Sequence, residues 1–348
     1  MKVKIYGTIG PACLDVDILK QMFQAGMTGM RLNLSHISLK DAAEMIDLYH
    51  RASMKAGISS PDLLIDMQGP ELRIGNLPKP LMLKSGDKVS LGPEGIPVPD
   101  VITPLLTSGQ SILMDDGKIL LEVVSESAED SDTYLDNSVC LCNVLRGGKL
   151  ESRKSIALPG REIRIPVLTK QDRENLANAS DYGVTGIMQP FVRNREDLLE
   201  VRKAMKDSGC SHLSLLAKIE NMSGVHRIND YLDLADEIVI ARGDLGNSMP
   251  LWELPRVQKE ISEICSKAHV PFMVVTQMLA SMETRPVPTR AEVSDIFHAV
   301  TDGASSIMVT GETAVGEYPV EVIRYLANTA QQALDYLQKR NNNKLTNH

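Results

Sequence analysis

The run LSLLAKIENMSGVHRINDYLDLADEIVIARGD, residues 213–244, decides the fold. Residues 213–219 are an apolar run of strand length that closes on Lys218-Ile219-Glu220-Asn221, and the spacing predicts a helix over 223–235. A second strand, 237–242, closes on Arg242-Gly243-Asp244. Strand, helix and strand joined this tightly make a parallel βαβ unit. The rhythm continues downstream as helix 253–269, strand 271–276, helix 289–303, strand 306–310 and a last helix from about Pro319 to Lys339. Upstream lie helix 169–183, strand 186–191 and helix 194–209. Thr289 with Glu292 three residues on is a capping-box pattern, and Thr169 with Asp172 resembles one.

The same alternation opens the chain. Strand 4–9 precedes a helix with Ile18, Leu19, Met22 and Phe23 on one face, closed by Gly26. Strand 30–34 is followed by a helix through Met45, Ile46 and Tyr49 that ends at Gly57, and then by strand 63–66. From about Pro70 to Ile165 the period breaks into short alternating runs punctuated by Gly, Pro and Asp, among them Leu81-Met82-Leu83 and Val139-Cys140-Leu141-Cys142. The expected fold is an α/β (β/α)8 TIM barrel, with a small β-barrel domain inserted after strand three. Its bounds are 1–69 and 166–340 for the barrel, 70–165 for the insertion and 341–348 for a polar tail. On pattern alone a doubly wound open sheet stays open as the alternative.

Composition narrows the function. With 45 acidic and 37 basic residues among 348, the net charge of −8 carries no basic footprint for nucleic acid or an anionic membrane surface. The start Met-Lys-Val-Lys-Ile-Tyr-Gly has no long apolar run and no cleavage site, and no stretch reaches membrane-spanning length, so the expected location is the cytoplasm. Five cysteines, at 13, 140, 142, 210 and 265, form no C-x-x-C pair and are expected as free buried thiols.

In a barrel the chemistry gathers at the C-terminal ends of the strands. Strand two ends with Arg31, Asn33 and Ser35 on one face, because strand side chains alternate. Strand three leads into Asp66-Met67-Gln68-Gly69-Pro70-Glu71-Leu72-Arg73, strand five puts Lys218 and Glu220 on a common face, and strand six ends on Asp244. Strands seven and eight add Thr276-Gln277-Met278 and Thr310-Gly311-Glu312-Thr313, whose hydroxyls and amides suit an anion. Glu220 and Asp244 on neighbouring strands suit a hard divalent cation that leaves positions for substrate oxygens. The arginines suit phosphate through their planar fork of donors. Any one of these residues alone reads as a salt bridge or loop cap; the pattern over four strands does not. The histidines at 36, 50, 212, 226, 269 and 298 follow no metal spacing, all but His36 read as ordinary surface or core residues, and neither a Walker loop nor G-x-G-x-x-G occurs.

Ten ordered segments carry a resemblance to the pyruvate kinase family over almost the whole chain: residues 7–12, 31–36, 69–73, 114–117, 157–160, 218–221, 241–246, 276–279, 288–292 and 311–314. The resemblance implies phosphoryl transfer between phosphoenolpyruvate and ADP, giving pyruvate and ATP. It implies that Glu220 and Asp244 hold Mg2+ or Mn2+, and that Asn33, Ser35, Asp66 and the Met67 carbonyl hold K+, with Glu71 matching the potassium-dependent form. Lys218, Arg31 and Arg73 would surround the transferring phosphoryl group. Gly243, Asp244 and Thr276 would take the substrate carboxylate, with proton delivery near Thr276. His36 and Lys154 would lie near the nucleotide phosphates, and the insertion would act as a lid. A homodimer through a barrel face is the expectation by analogy.

Departures from the family pattern are Met67-Gln68 for Thr-Lys, Val315 for a lysine, Thr310 for a serine and Asn247-Ser248-Met249 for Ile-Glu-Ile. The chain is expected to lack the family's C-terminal domain and the sugar-phosphate site it carries. Two other functions stay open: a paralogue that uses the same metal and enolate site for another phosphoenolpyruvate or 2-oxo acid reaction, and a non-catalytic ligand-binding protein.

Overall fold

The structure is a computed structural model that describes residues 2–35, 37–70, 72–115, 117–125, 140–161, 163 and 165–345. His36, Glu71 and Asp116 of the motifs above lie outside the described residues. The chain divides into two compact units, one of residues 1–69, 167–245 and 252–348, the other of 70–166 and 246–251.

The first unit is the expected barrel. Its strands are β1 (Lys4–Thr8), β2 (Gly29–Asn33), β3 (Asp62–Asp66), then, beyond the second unit's β4 to β10, β11 (Gly186–Gln189), β12 (Ser214–Ile219), β13 (Glu237–Ala241), β14 (Phe272–Val275) and β15 (Ser306–Met308). All eight neighbouring pairs are parallel, and β15 pairs with β1 to close the ring. The interior is filled by Tyr6, Leu64, Met188, Leu216, Val239, Met273 and Met308, with Ala241 and Val275. Gly29 makes room for this packing, since a Cβ there would come 2.7 Å from the Tyr6 ring and 2.5 Å from the Asp62 carbonyl oxygen. Leu64 and Leu216 fix the facing of their strands: two residues further on, Asp66 and Lys218 must point the same way, at the carboxyl end.

The surrounding helices are α1 (Val16–Gln24), α2 (Ala43–Lys55), α3 (Lys170–Asn178), α4 (Arg195–Asp207), α5 (Met222–His226), α6 (Arg242–Asn247), α7 (Leu254–Ala268), α8 (Arg290–Thr301), α9 (Gly311–Ala314) and α10 (Pro319–Leu345). Both capping boxes form: Thr169 and Asp172 at α3, Thr289 and Glu292 at α8. The single helix expected over 223–235 is instead α5 followed by two 3-10 turns, Ile228–Asp230 and Leu232–Leu234. The Tyr231 hydroxyl donates to the Gly224 carbonyl at 2.6 Å, taking an acceptor that a continuing helix would use. The short helix α6 follows β13 without a loop, and α10 continues beyond Lys339 to Leu345 through the asparagine run.

In the second unit, the expected small barrel resolves among the described residues into two antiparallel ladders. One is a five-stranded sheet in the order β10-β6-β7-β8-β5, built from β10 (Ile156–Ala157), β6 (Ser111–Met114), β7 (Ile119–Ser125), β8 (Cys140–Arg146) and β5 (Lys88–Leu91). The other pairs β4 (Leu81–Leu83) with β9 (Gly148–Leu150). The unit has its own core around Ile112, Leu121, Val123, Cys142, Val144 and Leu150. All five cysteines are buried, and none is in a disulfide. No helix of the described residues is long and apolar enough to cross a membrane.

Candidate active site

The C-terminal mouth of the barrel carries a buried four-residue charge cluster. Asp66 ends β3, in register with Asn33 of β2 and Met188 of β11, and is only 2% exposed. Arg31 reaches its Oδ2 through Nε at 2.8 Å and Nη2 at 2.6 Å. Lys218 Nζ lies 3.1 Å from both oxygens and 3.0 Å from Glu220 Oε1. The other Glu220 oxygen accepts the Phe191 amide at 2.9 Å. Two cations and two carboxylates thus balance where an isolated charge would be costly.

Burial alone would raise the Asp66 carboxyl, but Lys218 and Arg31 outweigh it and hold the group below the usual carboxylate range. Burial alone would likewise lower Lys218; Asp66 and Glu220 outweigh it and set the ammonium above an ordinary lysine. At neutral pH, Lys218 is therefore a fixed cation rather than a base.

After the neighbouring strands, Gly243 and Asp244 are the second and third residues of α6, and Thr276 follows β14. A Cβ on Gly243 would lie 3.2 Å from Thr276 Cγ2, so the glycine lets that side chain approach the α6 backbone closely. Asn33 Oδ1 accepts the Ser35 amide at 3.2 Å, and the Met67 amide donates to the Met188 carbonyl at 3.1 Å. Asn33 and Asp66 thus end two paired strands, and Ser35 and Met67 lie just beyond them.

Arg73 and Lys154 belong to the second unit, on paired segments. The Ile74 amide donates to the Lys154 carbonyl at 2.9 Å, and Arg73 Nη1 to the Arg153 carbonyl at 2.8 Å. Lys154 is ion-paired with Asp115 at 2.8 Å, and Lys118 lies 3.2 Å from the same carboxylate. His36 and Glu71 lie outside the described residues.

The anion donors expected at strand eight are engaged elsewhere. The Thr310 amide donates to buried Glu312 at 2.7 Å, and the Thr313 hydroxyl exchanges hydrogen bonds with the Thr8 backbone at 2.8 and 3.0 Å. Glu312 also accepts the Leu279 amide at 3.2 Å, tying together the loops after β14 and β15.

A similar tie, Asp172, is read from the sequence only as a helix cap. Fully buried, it accepts the Gln68 amide at 2.8 Å, the Gly69 amide at 3.0 Å and the Thr169 amide at 2.9 Å. The two chain segments that meet on it are about a hundred residues apart, so only the folded barrel discloses the contact. Each buried amide left unpaired costs about 1–3 kcal/mol, so Asp172→Ala is expected to lower stability by about 3 kcal/mol or more. Thermal unfolding checks this, and an unchanged midpoint would contradict the role.

A metal site can be tested on its donors. Among the described residues no three His, Cys, Asp or Glu side chains form a cage. A Glu220 and Asp244 pair is nevertheless a hard oxygen set, suited to a Mg2+-type ion that completes its shell with water and substrate oxygens.

Charged and oxygen-donor side chains thus gather at the carboxyl mouth of a closed (β/α)8 barrel, the end at which barrel enzymes carry their chemistry. Residues 1–323 match the family model described as pyruvate kinase, barrel domain. A pyruvate kinase of Geobacillus stearothermophilus is 36% identical over 348 aligned positions, covering 96% of this chain and 58% of that protein. One from Aeropyrum pernix is 37% identical, covering 95% of this chain and 70% of that protein, and one from Agrobacterium vitis is 38% identical, covering 93% and 66%. The chain belongs to the pyruvate kinase family. It spans a little under 60% of the length of the Geobacillus relative.

Proposed function

We propose that the chain transfers a phosphoryl group between phosphoenolpyruvate and ADP, giving pyruvate and ATP. The observation that carries this reading is the buried Arg31, Asp66, Lys218 and Glu220 cluster. Phosphoryl transfer asks mainly for positioning and for neutralisation of charge on the moving group, and a lysine held protonated beside a fixed arginine supplies both. The phosphorus–oxygen bond to the enol breaks, a β-phosphate oxygen of ADP forms the new bond, and the enolate carbon then takes a proton.

In this reading Arg31, Lys218 and Arg73 surround the phosphoryl group, and Lys218 stabilises the enolate oxygen that is left. The backbone at Gly243 and Asp244, with Thr276, binds the carboxylate, and Thr276 lies where the proton is delivered. Lys154 and His36 serve the nucleotide phosphates. Glu220 and Asp244 hold Mg2+ or Mn2+, and Asn33, Ser35, Asp66 and the Met67 carbonyl hold K+. A bound divalent ion supplies Lewis-acid charge at the phosphoryl and enolate oxygens. Two carboxylates suit the divalent ion; a single carboxylate with neutral oxygens suits a larger monovalent one.

The test is ADP- and phosphoenolpyruvate-dependent pyruvate formation by the purified chain with Mg2+ and K+. Turnover is expected, and Glu220→Ala is expected to lower it by about 10²-fold or more, since it removes a metal ligand and the Lys218 partner together. Absence of turnover, with phosphoenolpyruvate still bound in a metal-dependent way, would reject phosphoryl transfer to ADP.

A further inference from the structure

Thr276 and Gln277 take backbone φ angles of 80° and 55°. Two successive non-glycine residues in the left-handed region are unusual, the more so when the first is β-branched. Such a conformation persists only where the surroundings over-determine it. Here the restraint is the guanidinium of Arg242. Its Nε and Nη2 both donate to the Thr276 carbonyl oxygen, at 3.1 and 2.7 Å. Its Nη1 meets both oxygens of Asp295, at 2.8 and 2.7 Å, and Nη2 also lies 2.9 Å from Met278 Sδ. The Arg242 side chain is 11% exposed, so these bonds form largely away from water.

The clamp joins three elements. Arg242 opens α6, Thr276 follows β14, and Asp295 comes from the first turns of α8. Arg242 immediately precedes Gly243, where a Cβ would lie 3.2 Å from the Thr276 methyl. The side chain of residue 242 therefore grips the main chain of residue 276, while the absence of a side chain at residue 243 leaves room for that of Thr276. An arginine fork suits this work because its donors are coplanar and fixed, whereas a lysine offers one mobile point charge.

We propose that Arg242, oriented by Asp295, is a positioning residue that holds the left-handed Thr276 turn and so sets the Thr276 hydroxyl for proton exchange at the substrate's methyl carbon. The inference rests on the proposed handling of phosphoenolpyruvate and pyruvate. In the exchange, a C–H bond of the pyruvate methyl breaks, its proton passes to water at the Thr276 hydroxyl, its electron pair enters the enolate double bond, and a solvent proton later returns to the same carbon by the same route. No redox partner is needed.

The experiment uses the full chain with Mg2+, K+ and inorganic phosphate. It compares wild type, Arg242→Lys and Asp295→Asn for deuterium exchange into the pyruvate methyl group, for kcat and KM with phosphoenolpyruvate and ADP, and for thermal midpoint. Displacing a reacting group by about 1 Å costs on the order of 10²-fold, so Arg242→Lys should slow exchange by about that factor, with KM for phosphoenolpyruvate within about threefold. Asp295→Asn keeps an acceptor and should recover part of the exchange, by about tenfold relative to Arg242→Lys. A lowered midpoint with wild-type exchange in either folded variant would overturn the proposal and leave Arg242 a structural residue. A wild-type chain that neither turns over nor exchanges would instead overturn the proposed function itself, and the positioning role with it.

Discussion

Lys218→Met is expected to abolish measurable pyruvate formation, with a loss of about 10³-fold or more, while the chain still binds a divalent ion. The side chains are similar in volume, so the change removes chiefly a charge. That charge lies 3.1 Å from Asp66 and 3.0 Å from Glu220, with its pKa held above that of an ordinary lysine. It is thus present throughout the working pH range and costs no reorganisation as negative charge develops on a transferred phosphoryl group or an enolate oxygen. Losing one preorganised donor from such a site typically costs about 10²–10³-fold, and an ammonium contributes more than a neutral donor. Glu220 loses its cation but keeps the Phe191 amide, so its carboxylate stays available to Mn2+. Turnover measured beside a Mn2+ titration checks both halves. Retention of more than about a tenth of the turnover would remove Lys218 from the chemistry.

The second large effect is on stability. Asp66→Ala leaves Arg31 without its principal anion and Lys218 with Glu220 alone, all within a buried cluster. Removing one partner of a buried charge network costs about 3–5 kcal/mol, because what remains is an uncompensated buried charge. The pH dependence has a definite sign. Asp66 is held below its ordinary value in the folded chain. Its contribution is therefore fully present above the unfolded aspartate pKa of about 3.9, and is lost as pH falls through the lower folded value. The midpoint difference between wild type and Asp66→Ala should be large and constant near neutrality and should shrink below about pH 4. Calorimetry across that range measures it; a difference that is absent at neutral pH, or that grows in acid, would contradict the pairing.

The expected contributions of Asp172 and Arg242 have a physical origin different from that of these two, and one they share with Glu312. In each case a charged side chain makes up the hydrogen bonds of backbone that has left regular structure at the barrel mouth. Asp172 serves the Gln68–Gly69 turn, Glu312 the Thr310 and Leu279 amides, and Arg242 the Thr276 carbonyl.

The sequence by itself determined the alternation of strands and helices, both capping boxes, and the strand-end placement of Arg31, Asn33, Asp66, Lys218 and Glu220. These are local properties. A period of two residues fixes which side chains share a strand face, and a cap is set within four residues, so neither needs the rest of the chain. Tertiary structure alone decided which of these groups meet. Asp66 and Lys218 are 152 residues apart and touch only because barrel closure sets β11 between β3 and β12. Arg242 finds Asp295 across 53 residues, and Asp172 finds Gln68 across 104. The engaged Thr313 hydroxyl has the same cause, since its partner Thr8 lies 305 residues away, whereas the broken helix after Asn221 and the Thr310 bond to Glu312 rest on contacts seven and two residues apart. The position of such a distant partner depends on register around the closed ring and leaves no periodic mark in the sequence.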